Sequence, residues 1–535
     1  MRFTSMAVGG LKLMRKPNLH LPSTPFQCLR KVVPRSVAAV EAESFTKDQD
    51  SSSVHAKESK NVPAWKRLNS RELGVCNSMI GNTAKKVLNG LKKRGYDVYL
   101  VGGCVRDLIL KKMPKDFDIL TSAALKEVTR TFSWCEIVGK RFPVCHVHMD
   151  GTIIEVSSFD TARCKAGVEF SNHTEAPNGS DKKDSFRWMN CLNRDFTING
   201  LMLDPYARII YDYFGGIEDI RKAKVTVVPA ESSFQEDCAR ILRAIRIAAR
   251  LGFSISKETA RVVRNLSSSI LRLDKGRLLM EMNYMLAYGS GEASLRLLWK
   301  FGLLDILLPF QAAYFCQHGF RRRDRRTNML LALFSNLDKL LAPNRPCHNI
   351  LWVCILALHK TLNDRPRDPL VVAAFSLAVH NGGNLLEAVN IVRMINNQHD
   401  VRFPELLNPS GLDAEALESE ILDLADSVRG TLLQMTNEYF VSQAMADIPQ
   451  APHSNLVFIS LGLYLKVFGI FDCVRVSGDK KFLSKQSRNI DYESLAQGNL
   501  HETRHVFARV VFDTVYPLQQ NQDQLLKSNW ISQGG

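Results

Sequence analysis

At 535 residues, with a net charge of +16 and 45% hydrophobic residues, the chain has ordinary globular composition and room for two to four domains around a sizeable core. The basic excess points to a polyanionic partner and identifies no particular one. Twelve cysteines lie scattered without a Cys-x-x-Cys pair or a Cys/His cluster at zinc spacing, which argues against a disulfide framework or a structural zinc.

Met1 to Val40 carries seven Lys/Arg and no acid, so the leader holds seven of the sixteen net charges and nine remain for the rest. Rich in hydroxyls and lacking a continuous apolar core, it reads as a transit peptide for a plastid or mitochondrion; a basic tail that stays attached has the same composition. After the polar run Glu43 to Asn61, ordered sequence begins at Val62 to Trp65. Periodicity predicts a helix over Asn82 to Lys93, a strand over Asp97 to Val101, a helix over Cys104 to Leu110, a strand over Phe117 to Leu120 and a helix over Ala123 to Phe132. Strands follow at Trp134 to Val138, Val144 to Met149 and Thr152 to Ser158, the last two joined by an Asp150-Gly151 turn. Cys164 to Asn190, rich in Asn, Ser, Gly, Asp and Lys, reads as a mobile loop. From Ser233 onward long helical periodicity takes over. Asp413 to Arg429 reads as a solvated helix. The apolar stretch Leu456 to Phe471, broken by Ser460 and Lys466, is short for a membrane span and reads as a buried helix, so no membrane insertion is expected.

The expected architecture is α+β: an α/β head with a mixed or antiparallel sheet, then an all-α neck and body. Its divisions are leader and linker 1–61, head 62–225, neck 226–310, helical body 311–485 and a loosely ordered polar tail 486–535. The sequence sets no oligomeric state.

The chemistry concentrates in Tyr99-Leu-Val-Gly-Gly-Cys-Val-Arg-Asp107 and Lys115-Asp-Phe-Asp-Ile-Leu-Thr121. An apolar strand runs into Gly102-Gly103 at a helix start, where backbone N–H groups can approach phosphates. Asp116 and Asp118, two apart, share one strand face and can hold Mg²⁺ ions that bridge a triphosphate. A lone Gly-Gly is usually a turn and a lone Asp-x-Asp a solvated loop; their order gives the pair its weight. Glu155, in Thr152 to Ser158, is a third carboxylate candidate, with an edge-facing structural acid as the competing reading. Further on, Glu236-Asp-Cys-Ala-Arg-Ile-Leu-Arg243 continues to Gly252, and helical spacing groups Arg240, Arg243, Arg246 and Arg250 on one side and Ile241, Ile245 and Ala248 on the other. One side packs and the other meets anions.

Together with Asn193-Arg-Asp-Phe-Thr-Ile-Asn199, Tyr213-Phe-Gly-Gly-Ile-Glu-Asp219 and Arg277-Leu-Leu-Met-Glu281, these segments resemble, in order, motifs A to E of the class II nucleotidyltransferases, the superfamily of tRNA CCA-adding enzymes and bacterial-type poly(A) polymerases. The resemblance covers Asn82 to Pro309. It implies two Mg²⁺ ions on Asp116 and Asp118, a triphosphate held by Gly102, Gly103 and Arg106, and Asp107 fixing Arg106. It also implies a ribose hydroxyl on Asp195, with Arg194 and Asn199 near sugar and phosphates, and a base selected by Asp237 and Arg240 on a helix whose basic side includes Arg243. An Arg and a Glu of the last motif, Arg277 and Glu281, brace that helix, and the third motif supplies a glycine hinge. Asn193 stands where the family has Arg, and Asp160 stands where it generally has Arg after Phe.

Ile137-Val-Gly-Lys-Arg-Phe-Pro-Val-Cys-His-Val147 resembles the signature of bacterial-type poly(A) polymerases, with Lys140 and Arg141 near triphosphate or primer. The implied activity is template-independent addition of AMP from ATP to RNA 3′ ends, mRNA-like or tRNA, in an organelle. CCA addition, which also uses CTP, is the sister alternative, and a catalytically impaired RNA-binding protein on the same scaffold is a third. In the body, Arg321-Arg-Arg-Asp-Arg-Arg326 offers Arg321, Arg322, Arg323, Arg325 and Arg326 to an RNA backbone, or simply forms a solvated loop.

Overall fold

The computed structural model describes residues 65–139, 143–159, 182–228, 230–395, 398–445, 456–474, 485 and 489–517. The expectations placed on the leader, on Lys140, Arg141 and Asp160, on 164–181 and on 518–535 lie outside the described residues.

Among the described residues the head is built on an eight-stranded sheet in the order β1-β8-β7-β2-β3-β6-β5-β4. Its strands are β1 (Lys66–Asn69), β2 (Val98–Val101), β3 (Asp118–Thr121), β4 (Cys135–Val138), β5 (Val144–Met149), β6 (Thr152–Ser158), β7 (Leu201–Asp204) and β8 (Ile209–Asp212). All pairs are antiparallel except β3 with β6, which register Ile119 on Val156 in parallel. The sheet is mixed, as expected, and the bounds of β2 to β6 and of the helices among them follow the predicted ones within about two residues, whereas β1, β7 and β8 have no predicted counterpart.

Strand β2 is buried at all four positions because both sheet faces are covered. Val98, Leu100 and Ile119 point into the core shared with α1 (Asn82–Lys93), α2 (Gly103–Ile109) and α3 (Leu125–Thr131). Tyr99, Val101 and Leu120 point to the other face, beside Trp188, Cys191, Met202, Tyr211 and Tyr213.

That second face corrects the loop expected over Cys164 to Asn190, because its last part is the helix α4 (Lys182–Leu192). The run Asp184, Arg187, Trp188 and Cys191 is buried at helical spacing. Arg187 donates to the Tyr99 hydroxyl at 3.0 Å, the Tyr213 hydroxyl at 3.1 Å and Asp184 at 2.6 Å, and its guanidinium stacks 4.4 Å from the Tyr211 ring. Polar composition suggested a loop; here the polar groups pair under an apolar cover.

Beyond α5 (Gly216–Arg221) the neck contains α6 (Ala230–Glu236), α7 (Ala239–Leu251), α8 (Lys257–Asn265) and α9 (Lys275–Leu286). A short parallel pair, Lys224–Val225 with Ser254–Ile255, flanks α7, so strand pairing does not end at Ser233. The body is helical, with Met329–Leu340, Asn349–Asp364, Pro369–His380, Ala414–Thr436 and Leu461–Asp472 sharing one apolar core. The expected Asp413 to Arg429 helix buries Leu417, Ile421, Leu424 and Val428 on one side, so only its other side is solvated. Leu463, Val467, Ile470 and Phe471 are buried, as the apolar stretch suggested. Among the described residues no helix is long and apolar enough to cross a membrane.

A loosely ordered tail after residue 485 is not what the structure shows. Tyr492–Gln497 and Leu500–Val515 are helices, and Val506, Phe507, Val510, Val511 and Val515 are fully buried in the body. The apolar face of the second helix is diluted by His, Arg, Glu and Asp on its other side, which is why composition alone read it as polar.

Candidate active site

Two adjoining cavities lie between the head sheet and α7. The first, about 210 Å³, is lined by Gly103, Arg106, Asp107, Lys115, Asp116, Asp118, Arg194, Asp195, Asn199, Arg243, Arg246 and Arg250, with Cys104, Ile247 and Leu251 completing the wall. The second, about 240 Å³, shares Arg194, Asp195 and Arg243 and adds Glu155, Ser157, Asn190, Asn193 and Arg240.

β2 ends at Val101, and Gly102 turns the chain with φ +80° and ψ −139°, which side chains other than glycine rarely adopt. A Cβ there would stand 2.6 Å from Arg194 Nη1 and 3.4 Å from Asp118 Oδ2, so the glycine also lets these groups approach the backbone. Asp116 lies just before β3 and Asp118 begins it, with buried Phe117 between them, so both carboxylates reach the first cavity. On the parallel neighbour β6, Ile154 and Val156 are buried while Glu155 is exposed and lines the second cavity. Glu155 is therefore a cleft acid, not an edge one. The Asp118 carboxyl is pushed up to about 6, chiefly by burial; Arg194 opposes the shift, and Glu155 and Asp116 add to it by repulsion.

Asp107 holds Arg106 as the family pattern implied: Nε and Nη2 donate to Asp107 Oδ1 at 2.9 and 2.7 Å. Arg106 Nη1 donates onward to Asn199 Oδ1 at 2.6 Å, Asn199 Nδ2 to Asp195 Oδ1 at 3.0 Å, and Arg243 Nε pairs with Asp195 Oδ2 at 2.8 Å. One polar chain thus runs from α2 through the turn at Thr197–Asn199 to α7. Gly216 packs against that turn so closely that a Cβ would overlap the Thr197 carbonyl, and Thr197 Oγ1 donates to Asp219 at 2.6 Å. The glycine segment therefore braces the Thr197–Asn199 turn.

On α7, Ile241, Ile245 and Ala248 are buried, while Arg240, Arg243, Arg246 and Arg250 all line the cavities. Arg246 pairs with buried Glu281 at 3.2 Å and stacks 4.9 Å from the Tyr284 ring; Arg277 pairs with Asp237 at 3.7 Å. The bracing pair is in place. Arg240 donates to Ser233 Oγ at 2.6 Å. Of the two residues expected to select a base, Arg240 lines the second cavity, whereas Asp237 lines neither of these two cavities and pairs with Arg277.

Asn193 and Asn190 line the second cavity, and Asn190 Oδ1 and Asn193 Nδ2 have no hydrogen-bond partner among the described residues. The sequence offered no signal for Asn190, which fell in the expected loop. In the body, the arginine loop is held by its own members: Arg322 pairs with Asp305 at 2.8 Å and stacks 3.7 Å from Trp299, and Arg326 binds Asp324 and the Gly319 carbonyl. Arg321, Arg323 and Arg325 are exposed with no carboxylate partner among the described residues.

Among the described residues no three His, Cys, Asp or Glu side chains form a closed metal cage. Magnesium does not require one: it is commonly held by one or two carboxylates and completes its octahedron with substrate phosphates and water. Two cleft carboxylates, one of them destabilised as an anion by burial and further by repulsion from Glu155 and the other, fit that donor set.

A family model described as the poly A polymerase head domain matches residues 98–226, and one described as the probable RNA and SrmB-binding site of polymerase A matches 252–315. These matches support the class II nucleotidyltransferase family for the head and the segment that follows it. Within it, the Escherichia coli poly(A) polymerase I is 35% identical over 262 residues, 47% of this chain and 55% of that protein. The Geobacillus kaustophilus CCA-adding enzyme is 33% identical over 227 residues, 41% and 53% of the two chains. The chain thus spans about half the length of the curated relatives it matches. The solved Bacillus stearothermophilus CCA-adding enzyme in complex with CTP aligns at 22% identity and TM-score 0.40 over 84% of this chain and 98% of that one.

Proposed function

We infer that the protein is a template-independent RNA nucleotidyltransferase that adds AMP from ATP to RNA 3′ ends. The observation that carries this reading is the cleft itself, where Asp116, Asp118 and Glu155 face an arginine-lined helix across a space open to solvent. Asp116 and Asp118 would hold Mg²⁺, which when bound makes the primer hydroxyl more acidic and steadies charge on the phosphates. The chain's own residues do the rest. Gly103 presents its backbone N–H at the helix start, while the Gly102 N–H donates to the Leu201 carbonyl at 3.2 Å, and Arg194 lies beside Asp118 where the α-phosphate would sit. Asp195 faces the sugar, Arg240 faces the base, and Glu155 accepts a hydrogen bond from the primer 3′-hydroxyl. That oxygen bonds to the α-phosphorus, the bond to the β-phosphate bridge breaks, and pyrophosphate leaves with the electron pair while the hydroxyl proton passes to water.

Polyadenylation is supported by the 35% identity to a poly(A) polymerase and by the resemblance of Ile137 to Val147 to the signature of that branch. The 33% identity to a CCA-adding enzyme supports the alternative. Protein lacking residues 1–61, given Mg²⁺ with an unstructured RNA or a tRNA ending before CCA, separates them. Long A tails from ATP alone are expected; completion of CCA on tRNA only, requiring CTP, would select the alternative. The acid-free leader supports organellar delivery, which an import assay into isolated plastids and mitochondria tests; failure of both to take up and trim the chain would refute it.

A further inference from the structure

Six basic side chains line the first cavity, and three of them are already committed to carboxylates: Arg106 to Asp107, Arg243 to Asp195 and Arg246 to Glu281. The other three, Lys115, Arg194 and Arg250, have no carboxylate within ion-pair distance among the described residues. Arg194 stands at Gly102 and Asp118, next to the ribose-side turn. Lys115 and Arg250 are at the opposite end. Lys115 Nζ lies 5.9 Å from the Tyr288 ring, and the groups that act electrostatically on Arg250 are Asp107, Arg106, Asp116 and Tyr288. Asp118, by contrast, feels Glu155, Arg194, Asp116 and Arg243. The cavity linings give the order along the cleft: Glu155 and Arg240 line only the second cavity, Arg194 and Arg243 line both, and Asp118, Asp116, Lys115 and Arg250 line only the first.

Helix α7 gives this order a scale. Arg240, at the end proposed for the base, and Arg250 are ten residues apart, a rise of about 15 Å along one face. Arg243 lies between them on Asp195, at the sugar. A nucleotide laid along that face with its α-phosphate at Asp118 extends its remaining phosphates toward Asp116, Arg250 and Lys115. Paired arginines can offer a ligand only their leftover N–H groups; an unpaired guanidinium offers its whole planar fork, which suits a phosphate oxygen pair.

We propose that Arg250, with Lys115, forms the subsite for the β- and γ-phosphates of the incoming nucleotide and holds the pyrophosphate after transfer. The assignment rests on the nucleotidyl-transfer reading above and adds to it a residue that carries the distal phosphates.

Calorimetric titration of ATP, AMP and inorganic pyrophosphate, each with Mg²⁺, into the parent, Arg250→Ala and Arg250→Lys tests it, with a short RNA titrated alone in parallel. Arg250→Ala is expected to bind ATP and pyrophosphate about tenfold more weakly, the loss of one charge-assisted contact, while AMP and RNA affinities stay the same and Arg250→Lys recovers part of the loss. Pyrophosphate should correspondingly inhibit the alanine variant less. An unchanged pyrophosphate affinity overturns the proposal. So does an equal loss of AMP, which marks a general disturbance of the cleft, or a loss confined to RNA, which places Arg250 on the primer backbone. If the parent itself binds neither ATP nor pyrophosphate, the nucleotidyl-transfer reading fails together with the subsite.

Discussion

Asp118 is the residue where burial and chemistry meet. Its carboxyl, pushed up to about 6, is ionised above that pH and neutral below it, and only the ionised form can hold a metal or oppose Arg194. Single-turnover transfer measured from pH 8 to pH 5 at limiting Mg²⁺ should fall as the pH passes below about 6, and a flat profile would contradict the assignment. The same shift fixes the sign for stability. The folded-state value lies above the ordinary carboxylate value, so ionisation costs folding energy above pH 6, and the cost vanishes below about pH 4. Metal-free Asp118→Asn should therefore melt higher than the parent at pH 8 and equally at pH 4. Gly102→Ala makes a second residue-scale test: its Cβ would collide with Arg194 in a backbone conformation that strains any L side chain, at a cost of about 1–3 kcal/mol. Denaturant titration should show that loss together with a drop in transfer. The acids and glycines of this site were legible in the sequence because the glycine turn, the acid spacing and the basic helix face occur in order. Asp237 could not be assigned from spacing, because its pairing with Arg277 is a tertiary event.

At the scale of elements, helical and strand periodicity predicted the sheet strands around the cleft and the apolar side of α7, since each element buries one consistent face. Helix α4 escaped because its buried side contains Asp184 and Arg187, charges that composition assigns to a surface. What makes them tolerable is mutual satisfaction by Tyr99, Tyr213 and one another under the Trp188 side of the helix. Removing Arg187 leaves Asp184 only the half-exposed Arg67 and the Tyr213 hydroxyl and takes the donor from the Tyr99 hydroxyl, so Arg187→Met should destabilise the head by about 1–3 kcal/mol. Because α4 ends next to Asn190, Asn193 and Arg194, the part that still folds should turn over more slowly. Thermal unfolding and transfer by the folded fraction measure both effects, and a variant as stable as the parent would show that α4 is not anchored there.

Over the whole molecule, an α+β head leading into a helical neck and body was readable from the change in periodicity. The final boundary was not, because the helix at Leu500–Val515 carries its apolar side chains at helical spacing inside an otherwise polar stretch. Five of its side chains fill the body core, so ending the chain at Asn499 should expose that core and abolish cooperative unfolding of the body, as calorimetry would report. The basic excess acts at the same scale. Arg321, Arg323 and Arg325 are displayed by a loop that Arg322, Arg326 and Trp299 hold in shape. Replacing the three with Ala should weaken RNA binding and reduce the slope of log affinity against log salt by about 0.7 for each lost phosphate contact, with no change in nucleotide choice. An unaltered slope would return the loop to plain solvated surface.

The central claim is that the cleft between the head sheet and α7 performs the transfer. The most direct measurement is extension of a short RNA by ATP and Mg²⁺ with the parent, Asp116→Asn and Asp118→Asn, with RNA affinity recorded on the same preparations. The account predicts tails from the parent and none from either variant while all three bind RNA alike; variants that extend RNA at the parent's rate, or a parent that binds RNA and never extends it, would contradict it.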